Sequence, residues 1–126
     1  MPGLERDATR WGRRTVTASR CPDDRISEKA FSQLVVDLAH LLGWSVYRTW
    51  LSVRSPAGFP DLVLAKPGRP LILAELKSER GRLSPAQEQW LAVLRQVPGI
   101  AVFVWRPSDW DAIVAVLQGV GDGAAP

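Results

Sequence analysis

The chain has 126 residues, 46% of them hydrophobic and 23% charged, which are ordinary values for a globular protein with room for one domain and a modest core. Thirteen of the sixteen basic residues are arginine, and the net charge of +3 with a pI near 9.6 permits contact with a polyanion without requiring it. No apolar run approaches the roughly 20 residues of a membrane span, the first residues lack a secretory pattern, and the single Cys21 excludes an intramolecular disulfide; a reducing cytoplasm is the simplest setting.

Residues 1–24 carry no apolar period, and four arginines fall between Arg10 and Arg20 with no acid among them. A flexible basic arm is expected, read either as a plain disordered tail or as a phosphate-contacting arm, with Arg13 and Arg14 at its centre, that orders on binding. Trp11 is unusual for pure disorder and could dock on the domain. Residues 25–118 form the single expected domain, and the Gly/Ala-rich residues 119–126 a frayed tail.

Ser27 is the expected N-cap of a first helix whose inner face is Phe31, Leu34, Val35, Leu38 and Leu42, stopped at Gly43. Glu28 lies three residues before Phe31 and continues that stripe at its start, either as a helix-dipole partner or as a metal or water ligand. His40 lies off the stripe and reads as solvated. From Trp44 to Trp50 the chain alternates like a strand, with Trp44, Val46, Arg48 and Trp50 on one side.

Two short apolar runs, Leu-Val-Leu-Ala-Lys from Leu62 and Leu-Ile-Leu-Ala-Glu-Leu-Lys ending at Lys77, flank a Pro-Gly-Arg-Pro turn and read as a β-hairpin. Asp61 opens the first strand; Glu75 and Lys77, two apart, close the second and point to one face. A turn centred near Gly68 and Arg69 sets the residue opposite Asp61 between Glu75 and Lys77, gathering all three groups at one end of the ladder. Arg80 and Arg82 follow in a basic loop. The second helix is announced by Ser84-Pro85-Ala86-Gln87, a serine cap with a capping-box glutamine, and its expected inner face is Trp90, Leu91, Leu94 and Val97. The apolar run Ile100–Trp105 reads as a buried strand after a crossover helix, and Ser108 starts a last helix with Trp110, Ile113, Val114 and Leu117 inward. The six tryptophans are more simply core than interface. The order α-β-β-β-α-β-α predicts an α/β fold with a four-stranded mixed sheet whose hairpin is flanked by helices.

Asp61 and Glu75 are two acids against one lysine. Converging carboxylates are relieved by a shared proton or a bound cation, and a hard ion such as Mg²⁺ or Mn²⁺ accepts one or two carboxylates with water and phosphate oxygens. Such an ion activates water and clamps a phosphodiester, with Lys77 beside it to orient the water or offset charge on phosphorus. An ordinary salt-bridge network on a strand edge fits the same spacing. No His/Cys set has zinc spacing, no Gly-rich phosphate loop is present, and the lone His40 is poorly placed to serve a nucleophile.

Glu28, Gly58-Phe59-Pro60-Asp61, Glu75-Leu76-Lys77 and Gln87 resemble, in order and spacing, the PD-(D/E)XK nuclease superfamily, and more closely its compact VRR-NUC branch of stand-alone, phage-type proteins, over about residues 26 to 110. The resemblance implies a restriction-endonuclease-like core, Asp61 and Glu75 as metal-binding acids, Lys77 as catalytic lysine, Glu28 as a helical acid assisting the metal, and Gln87 facing the site. It implies Mg²⁺ or Mn²⁺ as cofactor, and DNA, including four-way junctions, as substrate for a homodimer. Phe59 stands where a small aliphatic is expected. The leading expectation is a structure-selective DNA endonuclease in which Arg80, Arg82, Arg13 and Arg14 hold phosphates. The alternatives are a DNA-binding module of the same fold without turnover, and a repair or restriction-type nuclease acting on duplex or ends.

Overall fold

The computed structural model describes residues 22–49 and 56–119. Trp11, Arg13, Arg14, Cys21, Trp50 and most of the proposed arm and tail lie outside the described residues.

The described chain runs α1 (Glu28–Leu41), β1 (Ser45–Arg48), β2 (Leu62–Ala65), β3 (Leu71–Leu76), α2 (Pro85–Leu94), β4 (Ile100–Trp105), a 3-10 turn (Pro107–Asp109) and α3 (Trp110–Gln118). The strands form one sheet in the order β1-β2-β3-β4. β1, β2 and β3 are antiparallel neighbours, whereas β4, reached through α2, lies parallel to β3 with Glu75 opposite Val104. The predicted mixed sheet and element order are therefore observed.

Local chemistry explains the helix boundaries. Ser27 Oγ accepts from Ala30 N and starts α1. At its other end Trp44 N donates to Ala39 O and Gly43 N to His40 O, the paired bonds of a Schellman stop, with Gly43 at φ +92. Ser84 and Gln87 form both halves of the capping box that opens α2. Gly119, at φ +79, ends α3.

The core lies mainly on one face of the sheet. Phe31, Val35, Val36, Leu38 and Ala39 from α1 meet Leu62, Leu64, Ile72, Ala74 and Leu76 from the hairpin and Trp110, Ile113 and Leu117 from α3. Leu73 and Glu75 alternate to the other face, which α2 covers with its own buried Leu91.

Two predicted inward positions and one strand expected to be buried are corrected. Leu34 is 39% exposed, because the buried stripe of α1 is rotated toward Val36 and Ala39. Val97 is exposed because α2 ends at Leu94 and turns away before reaching it. β4 is an edge strand, so its residues before Trp105 are only half-buried instead of enclosed.

The hairpin register differs from the expected one by one position. Leu62 pairs with Ala74 and Val63 with Leu73, which centres the connection on Gly68 (φ +82) and sets Asp61 opposite Glu75. The turn also anchors the far end of the molecule. Lys66 Nζ donates to Leu42 O at the end of α1, and Arg69 Nη2 to Val116 O near the end of α3, cations placed where helix carbonyls converge. Arg69 lies over the ring of Trp44, whose Nε1 donates to Leu117 O.

Gly58 sets the near end. At φ +101, a Cβ on it would lie 2.6 Å from the backbone of Ala86 in the first turn of α2. Gly68 shares the positive φ but faces open space. Gly68→Ala is therefore expected to cost about 1 kcal/mol of backbone strain, and Gly58→Ala about 2–4 kcal/mol once overpacking adds to that strain. Urea unfolding of both variants checks the difference.

Candidate active site

The open end of the hairpin gathers the charged groups. Glu75, on the second-to-last residue of the central strand β3, is only 1% exposed. Gln87 Nε2 donates to Glu75 Oε2 at 2.8 Å while the same side chain accepts from Ser84 N, so one glutamine both caps α2 and holds the carboxylate. Lys77 Nζ stands 3.8 Å from Glu75 Oε2, and Lys77 N continues the parallel ladder by donating to Trp105 O. Glu75 Oε1 is buried without a hydrogen-bond partner. An unpartnered buried carboxylate oxygen is costly.

Asp61 flanks this group from β2. Its Oδ2 accepts from Leu76 N at 2.9 Å, which turns the carboxylate toward the end of β3, and its backbone oxygen accepts from Thr49 N. Phe59, the departure noted in the Gly-Phe-Pro-Asp segment, meets Trp90 edge to face at 5.1 Å and so packs the loop before Asp61 onto α2. Here the aromatic does structural service that a small aliphatic would not.

Burial pushes the Glu75 carboxyl up to about 8; the charge of Asp61 adds to the rise, Lys77 opposes it, and a proton shared with the Asp61 carboxylate and the charge of Glu28 add smaller upward pushes. A carboxylate in this setting either keeps its proton or gains a cation. The donor set suits a hard divalent ion, because two carboxylates and one ammonium leave an excess of negative charge and an unsatisfied oxygen. Among the described residues no three His, Cys, Asp or Glu side chains are grouped as a metal cage. Glu28 is exposed at the start of α1 and is not drawn into a ligand set with Asp61 and Glu75.

Beside Asp61 opens a cavity of about 380 Å³, walled by Glu28, Lys29 and Ser32 of α1 and by Arg48 and Thr49 at the end of β1. Thus Glu28 faces the space next to the acid pair. His40 is exposed near the far end of α1. Arg80 and Arg82 are exposed in the loop beyond Lys77.

Two arginines not singled out from the sequence as site residues organise the surroundings. Arg106 Nη1 donates to Ser78 O and Gly81 O, with a longer contact to Glu79 O, and so shapes the turn carrying Arg80. Glu79 Oε1 in turn accepts from Ser108 N. Arg48 Nη2 donates to Ser32 Oγ at 2.7 Å and Nη1 to Gln33 Oε1, bridging β1 to α1. The available signal was that each arginine adjoins an apolar strand position, Arg48 on the inward side of its strand and Arg106 directly after Trp105.

A mixed four-stranded sheet between helices, with an acid, an acid and a lysine at one end of its hairpin, defines a restriction-endonuclease-like fold. The VRR-NUC domain profile matches residues 5–109, and the chain belongs to the VRR-NUC family. The match begins inside the segment read as a basic arm. A solved structure described as "VRR_NUC domain" is similar at 22% identity with a TM-score of 0.57, covering 69% of this chain and 92% of that one. A second, "VRR_NUC domain protein", is 18% identical with a TM-score of 0.57, covering 74% and 86%. A search of curated proteins found no match.

The proton on Glu75 has a measurable consequence. The folded carboxyl titrates at about 8 against 4.5 ordinarily, so between those values the folded state binds a proton that the unfolded chain has released. Stability of the metal-free chain is therefore expected to fall as pH rises through that window, by on the order of a few kcal/mol, and to level off above it. Glu75→Gln removes the slope; denaturant melts at about pH 5 and pH 9 check both statements.

Proposed function

We propose that the chain is a divalent-metal-dependent DNA endonuclease that hydrolyses phosphodiester bonds. The observation that carries the reading is the buried Glu75 carboxylate, unsatisfied at Oε1 and opposite Asp61. Membership of a nuclease-fold family supports it. Asp61 and Glu75 would hold Mg²⁺ or Mn²⁺, which when bound supplies water of lowered pKa and a clamp for the phosphodiester. Glu28 assists from the neighbouring wall.

The chain's own groups have separate tasks. Lys77, tethered between Glu75 and the β4 ladder, presents its ammonium where it can orient the attacking water and offset charge on the pentacovalent phosphorus. Gln87 holds Glu75 by the same Oε2 that Lys77 approaches, and so fixes the carboxylate's orientation. Burial at the end of β3 excludes bulk water from the carboxylate and strengthens each of these charge interactions. Arg80, Arg82, Arg13 and Arg14 supply phosphate contacts, which give affinity that falls steeply with salt and carries little sequence information.

Branched DNA, such as a four-way junction, is the substrate this reading favours. One site cuts one strand, so symmetric cutting of a junction calls for a two-fold homodimer.

Incubation of the purified chain with labelled four-way junction, flap, duplex and single strand, in Mg²⁺, Mn²⁺ or chelator, tests the proposal. Metal-dependent nicking is expected, greatest on branched substrates, and Asp61→Ala and Lys77→Ala are expected to lower it at least about 100-fold. Equal cutting by these variants contradicts the mechanism. Junction binding by a wild type that nicks nothing identifies a binding module instead.

A further inference from the structure

The cavity beside Asp61 carries both signs of charge. Glu28 and Asp61 contribute acids, whereas Lys29 and Arg48 contribute cations, and Ser32 and Thr49 contribute hydroxyls. Its volume of about 380 Å³ falls in the range of ligand sites, roughly 300–1,000 Å³. Lys77 and Gln87 do not line it; in the sheet order β1-β2-β3-β4, Arg48 ends β1 and Lys77 follows β3, on either side of the β2 strand that Asp61 precedes.

Arg48 is held there by design of the fold. It closes β1 opposite Leu62, the residue after Asp61, on the strand face that also carries the half-buried Val46. Its guanidinium is fixed by Ser32 Oγ at 2.7 Å and Gln33 Oε1 at 3.3 Å. A planar guanidinium with its rotamer already set loses little entropy on binding and matches the geometry of a phosphate. A neutral hydrogen-bonding side chain would serve the α1–β1 contact equally well; here a guanidinium lines a cavity next to two acids.

We infer that Arg48, with Ser32 and Lys29 beside it, forms a seat for the DNA backbone phosphate adjoining the one attacked. A strand passing Asp61 then has one phosphate on the Lys77 side and its neighbour on the Arg48 side. The cation wall offsets the repulsion that Glu28 and Asp61 alone would exert on a polyanion. This inference rests on the reading of the site as one that takes DNA, and it assigns Arg48 to binding and register of the strand.

The test is binding, read in the full chain carrying Lys77→Ala with Mg²⁺, by fluorescence anisotropy of a labelled duplex and a four-way junction across a salt series. Adding Arg48→Gln or Arg48→Ala is expected to reduce the slope of log K against log salt by about one, as loss of one phosphate contact does. Adding Arg95→Ala, the same charge removed at the exposed far end of α2, leaves the slope unchanged. Arg48→Gln retains an amide donor for Ser32, and melting temperatures identify any variant that loses the fold. Folded Arg48→Gln with the parent slope and affinity overturns the inference, as does a parent that binds neither DNA. A slope change in a protein whose wild type cuts nothing leaves the phosphate seat standing and removes the endonuclease reading; cutting by wild type with an unchanged slope does the reverse.

Discussion

A carboxylate buried at the end of a central strand, facing a second carboxylate, is the constraint on which the rest of the structure depends. Glu75 is held by Gln87 and approached by Lys77, yet one oxygen stays unsatisfied and the group keeps its proton to about pH 8. Left alone, such a group destabilises a small domain. Its presence is understandable if the molecule is built to receive a cation there. The supporting contacts are arranged accordingly: Gly58 lets the loop before Asp61 touch the backbone of Ala86, and the Ser84–Gln87 box fixes the helix start that delivers the amide to Glu75.

The hairpin divides stability from chemistry along its length. At the turn, Lys66 and Arg69 satisfy the carbonyl ends of α1 and α3, and Arg69 covers the buried Trp44. At the open end, the starts of α1 and α2 bring Glu28 and Gln87 toward the acids. Helix N-termini favour negative charge and C-termini favour positive charge, so the two ends of the sheet are electrostatically matched to their partners. The one buried side-chain atom without a partner among the described residues, Glu75 Oε1, lies where a ligand would relieve it, while cations meet the carbonyl ends of α1 and α3 at the opposite end.

Features dictated by local chemistry were legible in the sequence. The caps Ser27 and Ser84, the Gly43 stop and the shared face of Glu75 and Lys77 follow from spacing alone, and each is observed. Features set by tertiary contact were not. The hairpin register shifted by one because the turn centres on Gly68, a choice that propensity does not specify. Leu34 sits on the right period but the wrong side, since α1 rotates to bury Val36 and Ala39 against the sheet. Arg48 and Arg106 find partners 16 and 25 residues away, Ser32 Oγ and Gly81 O, which no local pattern predicts. The candidate site was visible as a set of residues, but the depth of Glu75 and the cavity beside Asp61 required the fold.

The central claim is that the Asp61–Glu75 pair is completed by a divalent cation, and calorimetric titration of the chain with Mn²⁺ in buffers of different ionisation enthalpy tests it most directly. Because Glu75 holds a proton below about pH 8, binding at about pH 7 is expected to release close to one proton per ion, with the release fading by about pH 9. Glu75→Gln and Asp61→Asn should each abolish both the heat and the proton release. Absence of Mn²⁺ binding by the folded wild type, or unchanged binding by Glu75→Gln, contradicts the account.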